Sequence, residues 1–334
     1  MQRAATGCPP REQRRHISDV HDLIEATWQY CQAEQWQEAY ALMEQENIVE
    51  GLMVWGGNAI LLELYQLLLP LDKWHPERAQ EAEIYYYLGR IYYDLGDQQQ
   101  ALSYYEQALH IAREVGNRKD EGITLNSLGE CYRALGNKQQ ALSYLEQALR
   151  TAREAGNHKG ERVALGDLGG VYYEWGDRQQ ALSYLEQALH MSREAGDRMD
   201  EEAALNNLGL VYYDLGDQQQ ALSYYEQALH MSREAGDRSG EGVSFAHLAA
   251  VYRGWGNKQQ ALSYLEQALH IYREVGSRIN EATVLNDLGL VYDKLGDRQQ
   301  ELSYFEQALH IYREVGSRKA EGGQYGILVG STLI

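Results

Sequence analysis

Five histidines, His110, His190, His230, His270 and His310, are separated by multiples of one interval and invite comparison with a metal-ligand set. Imidazole binds zinc and copper well, but the ligands of one ion must converge to about 2 Å from it. Residues that repeat every 40 positions lie in successive structural units, roughly 10 Å apart. These histidines therefore read as helix-surface residues. The recurring Glu-Gln of "EQAL" fails as a catalytic carboxylate pair for the same reason, because the groups are strung along an array. "GNRKDEG" (116–122) and "GDRSGEG" (236–242) are glycine-containing loops without the Lys-Ser/Thr of a phosphate cradle, and GxxxxGK[ST] occurs nowhere. Cys8, Cys31 and Cys131 are widely spaced with no CxxC, which indicates neither a disulfide framework nor a zinc site. No nucleophile pairs with a base. The expectation is a chain with no catalytic residue, no metal and no cofactor, and so not an enzyme.

The same spacing describes the elements that carry these residues. "YYDLGDQQQALSYYEQALH" stands at 92–110 and again at 212–230. Tyr92, Tyr132, Tyr172, Tyr212, Tyr252 and Tyr292 mark six copies of a 40-residue unit between Glu81 and Ala320. In the copy at 201–240, Leu205, Leu208 and Val211 recur at helical spacing, as do Ala221, Leu222, Tyr225, Ala228 and Leu229. Gly216 suits the left-handed position that ends the first helix, and Asp217 can then cap the second, with Gln220 completing a variant capping box. Gly236 and Asp237 repeat the signal. About 15–19 residues remain for each helix, and connections this short force antiparallel neighbours. Each unit is a helical hairpin that must stack on the next to bury both its apolar stripes. Gly209 and Ala228 are the small residues expected at the helix crossing; Ala249 is the one copy without glycine at the first of these positions.

Composition limits the partners. The chain has 334 residues with 30 basic against 49 acidic, a net charge of −19, which disfavours nucleic acid and anionic membrane. With 26 Tyr against 2 Phe, aromatics are abundant, but they recur at framework positions such as Tyr212 and Tyr224 rather than as a base-stacking patch. The run at 60–71 is too short to span a bilayer and contains Glu63. Residues 1–17 carry Arg3, Arg11, Arg14 and Arg15, lack the apolar core of a signal peptide and are expected to be disordered. A reducing, cytoplasmic setting fits.

The pattern "LxxLGxxYxxxGxxxxALxYxEQAL" resembles the tetratricopeptide repeat. Leu205 stands at its Trp position, Leu208-Gly209 and Tyr212 match, and Ala221, Tyr225 and Ala228 continue it. The unit lacks the closing Pro and is longer because the second helix runs on through "HMSREAG". Such long units resemble those of kinesin light chain and the Pins-type spindle adaptors. HEAT and armadillo repeats share the length without this spacing. The resemblance implies an all-α fold, a right-handed α-solenoid of antiparallel helical hairpins (a TPR superhelix), elongated in shape. The domains expected are a basic tail at 1–17, a degenerate helical repeat and cap at 18–80, hairpins at 81–120, 121–160, 161–200, 201–240, 241–280 and 281–320, and an incomplete seventh repeat at 321–334. Within the cap, residues 18–50 read as the degenerate repeat and 51–71 as one further apolar helix. With "WGGNAILLELYQLLLP", this preamble resembles the segment before the repeats in bacterial STAND signalling ATPases, whose repeats form a sensor arm. The last residues, from about 329, are expected to fray and to leave an end that self-associates or is covered.

By that resemblance the first helices line a concave groove. The positions facing it are Tyr86, Asn126, Gly166, Asn206, Ala246 and Asn286, then Arg90, Glu130, Gly170, Leu210, Ala250 and Leu290, and then Tyr93, Arg133, Tyr173, Tyr213, Arg253 and Asp293. These vary between copies while the framework does not. Kinesin light chain uses groove asparagines to hold a peptide backbone, and Asn126, Asn206, Asn207 and Asn286 are the matching positions. The implied peptide-binding set is Asn126, Arg133, Tyr173, Asn206, Asn207, Leu210, Tyr213, Arg253, Asn286 and Leu290. The implied function is a protein- or peptide-binding scaffold without chemistry of its own. Asp94, Glu130, Asp167, Glu174, Asp214, Asp287 and Asp293 against Arg90, Arg133, Arg253 and Lys294 lean toward a somewhat basic partner. The Lys clamp for a terminal carboxylate is missing. The alternatives are the sensor arm of a STAND system, as fragment or subunit, and the regulatory subunit of an enzyme.

Overall fold

The structure, a computed structural model, describes residues 8–314. The incomplete seventh repeat and the frayed end expected from about 329 lie outside them. Among the described residues there is no strand. The helices are α1 (His21–Gln32), α2 (Trp36–Gln45), α3 (Ile48–Val54), α4 (Asn58–Leu68), α5 (Leu71–Trp74), α6 (Arg78–Asp94), α7 (Gln98–Glu114), α8 (Arg118–Ala134), α9 (Lys138–Glu154), α10 (His158–Glu174), α11 (Arg178–Ala195), α12 (Arg198–Asp214), α13 (Gln218–Ala235), α14 (Arg238–Gly254), α15 (Lys258–Glu274), α16 (Arg278–Leu295) and α17 (Arg298–Glu314). From α6 onward each helix has 17 or 18 residues, and the helices pack as consecutive pairs in the manner of an α-solenoid. Two compact units divide the chain, residues 1–171 and 172–334.

The helix ends follow from local chemistry. Gly216 adopts φ +81°; its N–H donates to the Tyr213 carbonyl and that of Asp217 to Tyr212, both at 3.0 Å. Such a turn needs a residue without Cβ strain. The Asp217 carboxylate then accepts from the Gln220 N–H at 3.1 Å, capping α13. Ser277, before α16, makes no such side-chain bond. Each hairpin also carries a stacked tyrosine pair, from Tyr92–Tyr104 to Tyr292–Tyr304, with centroids 5.4–5.5 Å apart. These six pairs take up 12 of the 26 tyrosines.

In the first unit the cap core joins Leu23, Leu52, Leu61, Leu64, Tyr65 and Leu68 to Ile84, Leu88 and Ile91 of α6. Residues 51–71 are not one helix. The chain breaks between α3 and α4, where Gly56 takes φ +75° and a Cβ on Gly57 would lie 2.8 Å from Leu52 Cδ2. Nor is the basic segment free throughout. The Arg14 guanidinium, 9% exposed, donates to the carbonyls of Pro9 and Glu46 at 2.9 Å and to Glu46 Oε2 at 2.8 Å.

A ladder of ion pairs ties hairpin to hairpin. Glu121, 5% exposed, accepts from Arg118 Nη1 at 2.7 Å and from Arg113 Nε of the preceding helix at 2.9 Å. Arg118 also reaches Glu154 at the end of α9. Arg278 joins Glu281 and Glu314 in the same way, and Arg238 joins Glu241 and Glu274. Burial raises the Glu121 carboxyl, but the hydrogen bonds from Arg118 and Arg113 outweigh it and the group ends below its ordinary value. A depressed carboxylate stabilises the fold above its unfolded pKa and loses that contribution as pH falls through the folded one. Glu121→Gln should therefore cost about 1–2 kcal/mol at pH 7, with the gap from wild type closing below about pH 4 in pH-resolved denaturation. A gap that does not change with pH would contradict this.

Candidate functional site

Repeat equivalence places all ten candidate residues on first helices: Asn126 and Arg133 on α8, Tyr173 on α10, Asn206, Asn207, Leu210 and Tyr213 on α12, Arg253 on α14, Asn286 and Leu290 on α16. Nine are half-buried and Asn207 is exposed. Within each unit successive first helices touch, α6 with α8 and α12 with α14, so their variable positions form a face.

In the first unit this face holds a polar cluster. Arg133 binds Glu130 through Nε, 3.0 Å from Oε1, and Nη2, 2.5 Å from Oε2. Asn126 Nδ2 donates to Asp167 Oδ2 on α10 at 2.7 Å, while its Oδ1 is buried with no partner. A shallow recess of about 180 Å³ lies alongside, lined by Tyr86, Arg90, Tyr93, Asn126, Ser127 and Glu130 among others. Burial pushes the Asp167 carboxyl up to about 7 and the nearby Glu130 charge adds to the rise, while Asn126 and Arg133 hold it back. The unfolded chain ionises this group near its ordinary value. Between about pH 4 and 7 the folded state therefore holds the extra proton, and stability falls as pH rises. Asp167→Asn keeps the Asn126 bond and removes the charge. We expect it to stabilise the protein by about 1–2 kcal/mol at pH 8, discounted for partial exposure, and by progressively less toward pH 4. Loss of stability at pH 8 in chemical denaturation would contradict the assignment.

In the second unit the Tyr173 hydroxyl donates to Asp214 Oδ2 at 2.7 Å, Arg178 Nη2 reaches the same oxygen at 3.1 Å, and the guanidinium carbon lies 5.5 Å from the Tyr173 ring centre. Arg253 Nη1 pairs with Asp287 Oδ1 at 2.8 Å. Asn206 Oδ1 and Asn286 Oδ1 are buried without partners, as is His247 Nδ1; burial alone pushes the His247 imidazole down to about 4, so it is neutral at pH 7. The His247 ring lies tilted against Tyr225, with centroids 4.7 Å apart. His247 was absent from the sequence-derived set, although it follows the groove position of Ala246 directly.

Much of the acidic excess counted from sequence is thus spent inside the chain. Glu130, Asp214 and Asp287 are each held by an arginine, and Asp293 lies 3.5 Å from Lys294. Arg178, which begins a second helix, was outside that count. The histidines considered above as ligands sit at the surface: His190, His230, His270 and His310 are each within 3.8 Å of a glutamate one turn on. Among the described residues no group of three or more His, Cys, Asp or Glu is placed to hold a metal, and no helix is long and apolar enough to cross a membrane.

A family model described as Tetratricopeptide repeat matches residues 80–154, 120–194, 200–274 and 264–314, well over half of the chain. The chain belongs to the tetratricopeptide-repeat family. Three solved structures illustrate the likeness of this TPR chain. A STAND protein with a tetratricopeptide repeat sensor from Pyrococcus horikoshii is 15% identical with a TM-score of 0.67, over 93% of this chain and 46% of that one. A Rap protein complexed with Competence and Sporulation Factor is 16% identical with a TM-score of 0.58, over 97% and 98%. Nearly identical TPR-like repeats of a kinesin light chain-like protein from Podosopora anserina are 23% identical with a TM-score of 0.51, over 61% and 100%. At these identities the likeness is one of fold. No curated protein matches.

Proposed function

We propose that this TPR chain is a non-catalytic scaffold whose first-helix faces bind an extended peptide segment of another protein. The observation that carries the reading is the recurrence of Asn126 in the first unit, and of Asn206 and Asn286 in the second, at one repeat position of the first helices, each with a buried side-chain oxygen that has no partner. An orphaned buried acceptor costs about 1–3 kcal/mol; the side chains themselves are half-buried, so a turn of the amide brings the oxygen to the surface, where the N–H groups of an extended backbone can satisfy it. Leu210, Tyr213 and Leu290, half-buried on the same helices, supply apolar surface for the peptide's side chains. That a Rap protein of the same fold was solved with Competence and Sporulation Factor supports a signalling peptide or protein segment as ligand. The test is capture of partners from the native host on the intact chain, followed by mapping the bound segment to a short peptide. A partner that binds only as a folded domain, with no peptide retaining affinity, would contradict the proposal.

A second reading has support in the STAND likeness, which spans 93% of this chain: the same faces serve as the sensor of a signalling ATPase, supplied on another chain or another part of a longer one. Capture of a nucleotide-binding protein whose hydrolysis rate changes on binding would favour it.

A further inference from the structure

We infer that the face of the first unit contains a subsite for one cationic side chain of the bound segment, a lysine or arginine seated between Glu130 and Asp167 beside the bare backbone of α10. This rests on the peptide-binding reading above.

The argument begins with an internal comparison. Residues 120 positions apart occupy equivalent places, so Arg133 and Asp167 of the first unit correspond to Arg253 and Asp287 of the second. The second pair is a one-to-one ion pair at 2.8 Å, and Ala250 stands where the first unit has Glu130. Arg90, which also lines the recess, acts on Asp94, so Glu130 and Asp167 are left with Arg133, whose guanidinium is engaged in a forked bond to Glu130. The excess charge registers on Asp167, whose carboxyl is pushed up to about 7 by burial and by Glu130. Holding like charges together in a half-buried site costs stability, and a cation from a partner cancels that cost.

Two further features give the cation a seat. Gly166 and Gly170 lie one turn apart on α10 at positions of the face where other copies carry Asn206 and Leu210, and a Cβ at either would meet nothing within 4 Å. The backbone of α10 is thus uncovered beside Asp167, leaving a notch that a long side chain can cross. Asn126 Oδ1, buried and unpartnered, is an acceptor next to Asp167 for an ammonium or guanidinium donor. Tyr93, from α6, lies near enough to feel the charges of Glu130, Arg133 and Asp167 and offers an aromatic wall to the alkyl stem.

The test uses the intact chain and a random peptide library displayed on phage, panned in parallel on wild type and on the Glu130→Gln/Asp167→Asn variant, with each fold checked by circular dichroism. Wild type should enrich peptides with Lys or Arg at one fixed place. Changing that residue to Ala should weaken binding to wild type roughly tenfold and leave binding to the variant almost unchanged. Gly170→Leu, which fills the notch and leaves both carboxylates in place, should weaken the same peptides by a similar factor. Enriched peptides without a fixed basic residue, or with one that the variant selects equally, overturn the subsite and leave the peptide-binding face standing. If no peptide is enriched at all, the face reading falls and the subsite with it.

Discussion

Gly289→Val should be among the most damaging single changes in the repeats, costing about 3 kcal/mol. A Cβ at Gly289 would lie 2.4 Å from Phe305 Cε1 and 2.6 Å from Cδ1, and Phe305 is 1% exposed, so the ring has no room to retreat. Gly209 faces Tyr225 at 2.5 Å in the same way. The group that a Cβ on Gly209 would meet is this ring, while Ala228, the other small residue named for the crossing, is fully buried. The cost should be graded by that partner. Gly129 faces Leu145 at 2.6 Å; the leucine is as buried as the ring, but its branched end has alternative staggered rotamers that a ring lacks. That accounts for Ala249, whose counterpart across the crossing is Leu265. At Gly166 and Gly170 the space is open, and Gly166→Ala should stabilise α10 by about 0.5–1 kcal/mol. Urea denaturation of the three variants should give the order Gly289→Val far below wild type, Gly129→Ala slightly below and Gly166→Ala above. Equal losses at Gly289 and Gly129 would contradict the crossing as described.

The hairpins could be read from sequence because their signals are local. Gly216 and Asp217 end one helix and start the next through bonds spanning five residues or fewer, so a single copy contains everything needed. What escaped depends on partners further off. Arg118 and Glu121 look like an exposed pair one turn apart; in the packed array Glu121 is buried and also accepts from Arg113 of the previous helix. Asn126 meets Asp167 across 41 positions, and Arg178 meets Asp214 across 36, so the charge balance of the face could not be counted residue by residue. In the cap, hydrophobicity alone ran α3 and α4 together, because the break lies in the backbone of Gly56 rather than in any change of apolar content. Asn126, Asn206 and Asn286 share one repeat position in the sequence, but their orphaned oxygens appear only once the helices are packed.

Those oxygens lead to the second large effect. Asn206 and Tyr213 stand seven residues apart on one face of α12. Replacing both with Ala should weaken peptide binding by about 2–4 kcal/mol, because the change removes a backbone hydrogen bond together with an aromatic surface for the ligand. Asn206 Oδ1 has no partner within the chain to lose, whereas Tyr213 packs against the core of the second unit, so the double variant should fold but melt somewhat lower than wild type. Gln219 and His230, exposed on α13, give the control: their replacement with Ala should alter binding by less than about 0.5 kcal/mol. Calorimetric titration of the mapped peptide into wild type, Asn206→Ala/Tyr213→Ala and Gln219→Ala/His230→Ala is the most direct measurement. The account predicts a loss of about 30-fold or more, in keeping with that range, for the first-helix pair alone, measured at a temperature where all three proteins are folded. Binding that survives the Asn206/Tyr213 pair and disappears with Gln219/His230 would contradict it.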